Sequence, residues 1–114
     1  MAAACETRED ATDERLRPLK VPSRPDQVFE SAREMVEDLD GWEVVASDAS
    51  ARVLTCRKRG GFFAGTATIT IHCEGLEALP STVVHVRSTT EGGVLARDRA
   101  LVLEFLTPFH RRVC

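Results

Sequence analysis

The chain has no apolar run near the ~20 residues that a membrane-spanning helix requires. It also has no excess of positive charge: 15 Lys and Arg stand against 18 Asp and Glu, a formal net charge of -3. That balance argues against sequence-independent nucleic-acid binding, which depends on a basic face. Cysteine is sparse. Cys5, Cys56, Cys73 and Cys114 include no C-x-x-C pair, so neither a zinc ribbon nor a thioredoxin-like motif is present. Their spacing describes no disulfide framework, and free thiols are expected. G-x-S-x-G and G-x-x-x-x-G-K-[ST] are both missing, which leaves nucleophilic catalysis and P-loop phosphate binding without support. Met1 to Cys5 contain neither a charged start nor an apolar stretch, so no signal peptide is read and a cytoplasmic location is the default. Three alanines before Cys5, followed by polar residues, look like the end of a lipoprotein signal whose upstream part is missing. Lipid anchoring through Cys5 is therefore the alternative.

What is present fits one small folded unit. The 114 residues suggest a single domain, with an apolar fraction of 43% and a charged fraction of 29%. Residues 1–17 are small or charged and are expected to form a disordered polar tail, because they have little apolar surface to offset ordering entropy. Residues 18–114 form the expected domain. Its strongest signal is Thr66–Cys73, where strict alternation puts Ala67, Ile69, Ile71 and Cys73 on one face. Thr82–Ser88 follows as a second β-branched run, and pairing Ile71 with Val84 keeps both apolar faces on one side.

The other elements follow from periodicity and punctuation. Leu16–Pro22 reads as a short edge strand between prolines. A helix is expected from Pro25 to Asp40, with Ser23 and Asp26 as a capping box, and Gly41 ends it. Its apolar stripe is Val28, Phe29, Ala32, Met35, Val36 and Leu39. Trp42–Ser47 and Ala51–Arg59 read as a hairpin with a three-residue loop, pairing Trp42 with Cys56 and Val44 with Leu54. Pairing Arg59 with Thr66 then sets Cys56 against Ile69 and Leu54 against Ile71, so all registers agree on one inward face. A second helix is expected over Leu95–Thr107. Its stripe is Val102, Phe105, Leu106 and Phe109, with Leu95 or Asp98 at the preceding turn, and Pro108 ends or kinks it. The expected fold is a two-layer α+β sandwich: a four-stranded antiparallel meander with two helices packed on one face and a short N-terminal edge strand in front.

Arg87-Ser88 and Gly93, leading into a helix that ends Phe105-Leu106, resemble a small uncharacterised family whose strand ends R-S-x-S-R-V-G. Leu39–Val45 is similar to that family's helix-to-strand junction, and Glu91 stands where the family has Arg. The resemblance spans roughly residues 18 to 107 and implies a helix-grip-like fold, a form shared by small domains of outer-membrane lipoproteins.

Five residues are candidates for ligand or partner contact. Phe62 and Phe63 lie between glycines in a loop at a sheet end, where a spare aromatic suits a ligand mouth. His72 and His85 share the polar face of the hairpin, within reach of each other, but the expected register adds no third metal ligand. Arg87, near Gly92-Gly93 and Arg97 before a helix, offers an anion contact. No catalytic residue, metal or cofactor is assigned. The reading is a non-catalytic binding or interaction domain for a small molecule or protein. The alternative is a ligand- or metal-binding protein or an enzyme of unknown reaction.

Overall fold

The computed structural model describes residues 2–59, 65–91 and 98–114. The elements run β1 (Ala2–Glu6), a 3₁₀ turn (Glu14–Leu16), β2 (Leu19–Val21), α1 (Pro25–Asp38), β3 (Trp42–Asp48), β4 (Val53–Arg59), β5 (Thr66–Glu74), β6 (Thr82–Glu91) and α2 (Asp98–Val113). The sheet has six antiparallel strands in the order β1-β6-β5-β4-β3, with β2 also on β6. The expectation of a four-stranded meander is therefore corrected, while the α+β layering with two helices holds.

The correction has a physical cause in the length of β6. Its ten residues reach well past the three that β2 covers, Thr82 to Val84. The rest of that edge would leave ladder groups unpaired. Ala2–Glu6, within the span expected as a polar tail, fills the gap by pairing with Arg87–Glu91. Thr7 joins the two strands: its N–H donates to the Val86 carbonyl at 2.9 Å, and its Oγ1 accepts from the Val86 N–H at 3.0 Å. β1 and β2 thus form one interrupted edge, and residues 8–18 leave it as a strap. Cys5 lies opposite Ser88 and packs against the core.

Along the central strands the alternation is as expected. Ala67, Ile69, Ile71 and Cys73 are all buried, and Cys56 pairs with Ile69 and Leu54 with Ile71. Two registers differ from expectation by a pair of residues, which preserves the faces. Ile71 faces Val86, and Val84 faces Cys73. Trp42 faces Lys58, and Val44 faces Cys56. The second shift arises because the turn extends to Arg52, which adopts a left-handed φ of 55°. An irregularity between Val44 and Ala46 then adds one residue to β3.

α1 buries Val28, Phe29, Ala32, Met35 and Val36. Its N-cap is Arg24 with no side-chain cap bond, so the expected Ser23–Asp26 box does not form. The Ser23 carbonyl instead accepts from Thr82 Oγ1 at 2.7 Å. α2 does not end at Pro108 but continues to Val113. An interior proline costs about 3 kcal/mol. Against that, the turn beyond it buries Phe109 completely, with its ring 4.8 Å from that of Phe105, and seats Val113 on the core. Burying a large apolar side chain contributes ~1.5–3 kcal/mol, and an aromatic pair adds to it. Among the described residues, no helix is long and apolar enough to cross a membrane.

Candidate functional site

Apart from Thr7 and Thr82, which bond to backbone groups, the buried polar side chains among the described residues gather near the start of α2. β6 alternates inward through Val84, Val86, Ser88 and Thr90, and all four are buried. The last two are hydroxyl residues where the pattern calls for aliphatic ones. Asp98, in the first turn of α2, lies over them. It is only 5% exposed. Ser88 Oγ and Thr90 Oγ1 both donate to its Oδ1 at 2.6 Å. That length belongs to the short, charge-assisted class of hydroxyl–carboxylate bonds. The helix N-terminus adds a favourable field for a negative group. The second oxygen, Oδ2, is buried and has no hydrogen-bond partner among the described residues.

The surroundings separate this end of the core from bulk water. Cys5 sits across from Ser88, and its thiol titrates above its ordinary range, through burial first and then the nearby Asp98 charge. In the adjacent row, Thr90 faces Ala67, Ala67 faces Lys58 and Lys58 faces Trp42. Lys58 Nζ reaches over to α2 and donates to Glu104 Oε1 and Oε2 at 2.7 and 2.8 Å, tying the sheet to the helix. Trp42 packs on Phe105 with 6.2 Å between ring centroids, and its Nε1 is the other buried polar side-chain atom without a partner among the described residues. Such atoms are rare in native interiors, and each calls for an explanation.

The residues singled out from sequence lie elsewhere. His72 and His85 are directly opposite on the outer face of β5 and β6, with ring centroids 6.0 Å apart. The two-residue register shift also brings Glu74 within 2.9 Å of His85 Nε2. Even so, no group of three His, Cys, Asp or Glu among the described residues is arranged to hold a metal. Arg87 lines a shallow outer groove of about 530 Å³ with Thr66, Thr68, Thr70 and Thr89. Phe62 and Phe63 lie outside the described residues, as do Gly92, Gly93 and Arg97. The sequence did carry a signal for the buried acid: Asp98 occupies a position on the apolar stripe of α2.

No family model matches the chain, and no curated protein matches it. Solved structures do. Ara h 8.0201 superposes with a TM-score of 0.59 at 11% identity, over 99% of this chain and 98% of that one. The Zhui aromatase/cyclase from Streptomyces sp. R1128 superposes with a TM-score of 0.53 at 13% identity, over 98% and 86% of the two chains. At these identities the likeness is one of fold, and it supports the helix-grip form.

Proposed function

We propose that the chain is a small-molecule-binding domain that takes an apolar ligand bearing a hydroxyl or amine N–H, which donates to Asp98 between α2 and the sheet. The observation that carries this reading is the unpartnered, buried Oδ2 of Asp98. A buried acceptor left unsatisfied costs roughly 1–3 kcal/mol, and more when charged. A ligand that supplies the missing donor recovers that cost on binding. Ser88 and Thr90 then serve as positioning residues: their bonds to Oδ1 fix the plane of the carboxylate and leave Oδ2 for the ligand. The apolar neighbours Ala67, Leu101, Val102 and Phe105 suit a hydrocarbon or aromatic body. The likeness to an aromatase/cyclase adds the fold and no reaction, and the proposed role is binding. His72, His85 and Arg87 lie on the outer face of the sheet and are proposed as a separate contact surface; Phe62 and Phe63 are proposed contact residues from the sequence alone.

A matched pair of probes tests the reading. 2-Naphthol has the donor, and 2-methoxynaphthalene has the same ring system without it. Titration calorimetry is expected to show at least about tenfold tighter binding of 2-naphthol, the equivalent of ~1.4 kcal/mol. That preference should vanish in Asp98→Leu. Equal affinities for the wild type, or an undiminished preference in the variant, would remove Asp98 as the recognition group.

A further inference from the structure

A hollow on the strap side of α2 shares no residue with the Asp98 site. It has a volume of about 430 Å³, within the ~300–1,000 Å³ range of small-molecule sites. The interruption of the sheet edge creates it. Residues 8–18 leave the sheet after Thr7, turn through the 3₁₀ segment and return at β2. Asp13 fastens the strap to α2 through an ion pair with Arg99. Below that tie, the strap and the second half of α2 face each other across the hollow.

Its two halves differ in chemistry. Pro18, Leu19 and Leu106 supply an apolar part. Arg15, Arg17, His110 and Arg111 supply cationic or ionisable groups, with Glu14 the one carboxylate among the lining residues. Arg15 is already held by Asp13 at 2.9 Å. Arg17 is not closely paired: its Nη1 is 3.9 Å from Glu14, and its Nε donates to the Ala11 carbonyl. Arg111 has no ion pair among the described residues, whereas its neighbour Arg112 is engaged by Asp38 at 2.9 Å. With Arg15 neutralised by Asp13, Arg17 and Arg111 against Glu14 still leave a local positive excess on a chain whose formal net charge is -3.

We infer that this groove binds a small amphipathic anion, a carboxylate on an apolar body, with the carboxylate between Arg17 and Arg111 and the body against Leu19 and Leu106. Charge complementarity selects the anion. A guanidinium presents a planar fork that matches a carboxylate bidentately, which a lysine would not. The apolar floor excludes a bare inorganic anion as the preferred occupant, since it would leave Leu19 and Leu106 uncovered.

The test pairs naphthalene-2-carboxylate with naphthalene-2-carboxamide, which has nearly the same shape and no charge. Amide chemical-shift mapping on the full chain is expected to show the carboxylate perturbing Leu19, Leu106, Thr107 and Arg111. The carboxamide should bind at least about tenfold more weakly. Arg111→Gln should weaken carboxylate binding about fivefold, Arg17→Gln with Arg111→Gln should weaken it further, and salt should weaken it in the wild type. Both arginines are exposed, so folding of the variants is not at stake, and a superposable circular dichroism spectrum would verify it. Absence of binding at millimolar carboxylate, equal binding of the carboxamide, or shifts confined to Ser88, Thr90 and Asp98 would each overturn the assignment.

Discussion

Replacing the hydroxyls that hold Asp98 should cost more than replacing the whole polar group. Ser88→Ala removes one of two 2.6 Å bonds to a buried carboxylate oxygen. A hydrogen bond to a charged group is worth roughly 1.5–3 kcal/mol, so the single variant should lose about 2 kcal/mol. Ser88→Ala with Thr90→Val removes both donors and leaves the carboxylate, 5% exposed, without a partner among the described residues. Breaking a buried charged arrangement in this way costs about 3–5 kcal/mol. Adding Asp98→Leu to that pair then makes the patch fully apolar, on the stripe that already contains Leu101, Val102 and Phe105. The triple variant should return to within about 1 kcal/mol of wild type or exceed it, since well-packed apolar replacements of buried charges are often neutral or stabilising. Urea unfolding at constant m-value measures the series, and each kcal/mol should appear as about 4 °C in thermal melts. A triple variant as unstable as the double, or a Ser88→Ala loss below about 0.5 kcal/mol, would show that the Asp98 cluster is not a strained polar island in the core.

Cys56 and Cys73 are buried and unpaired, and burial pushes both thiols up to about 12; at pH 8 both should resist a thiol reagent until the chain is denatured, and fast native labelling would contradict the strand register. The folded state keeps protons that unfolded thiols lose above pH ~8.5, so these two groups should make stability fall as pH rises from there towards 12, by at most ~1.4 kcal/mol per pH unit for each thiol. Gly75→Ala should destabilise by roughly 1–3 kcal/mol, because a Cβ there would meet the Ser81 carbonyl oxygen at 2.5 Å and Pro25 Cγ at 2.8 Å; an unchanged denaturation midpoint would refute that crowding. The Arg15 side chain first, then the Arg15 N–H and Arg99, hold the Asp13 carboxyl well below the usual carboxylate range. The unfolded chain therefore binds the proton first, the strap's attachment is intact above pH ~4, and it should weaken as pH falls below that value. Amide exchange over residues 8–18 should accelerate in Asp13→Asn, and unchanged exchange would mean that the tie holds nothing.

The central strands were legible because alternation fixes which face is buried. Ile69, Ile71, Leu54 and Cys56 point inward as their spacing requires, and a two-residue shift in pairing left that intact. The shift itself was not legible, since faces repeat every two residues and only the turn geometry at Arg52 decides between registers. The first strand was hidden for a different reason. The sequence Ala-Ala-Ala-Cys-Glu has no large apolar side chain, and what recruits it is the unpaired edge of β6, a property of another part of the chain. At Pro108 local chemistry allows a helix either to end or to kink, and the burial of Phe109 one residue later excludes the end. For the site, the half-buried histidines and the glycine-flanked aromatics stand out by residue type alone. Asp98 was visible only as an acid on an apolar stripe, and its partners Ser88 and Thr90 are 10 and 8 residues away, outside any helical spacing.

The first turn of α2 joins these features mechanically. Two consecutive residues there are held by different parts of the molecule: Asp98 by the hydroxyls of β6 and Arg99 by Asp13 of the strap. Asp98 is buried and Arg99 exposed, so one anchor faces the core and the other faces solvent. A ligand that donates to Asp98 Oδ2 would draw on the first anchor and leave the second as the restraint on the strap. Opening the strap without moving the helix requires the Asp13–Arg99 contact to break and the half-buried Leu16 to leave the edge of the core; ion pairs near the surface contribute little and weaken with salt. Displacing the helix start from the sheet requires the two short buried bonds to break as well. The strap is therefore the easier of the two to open, and α2 stays seated on β6 when it does.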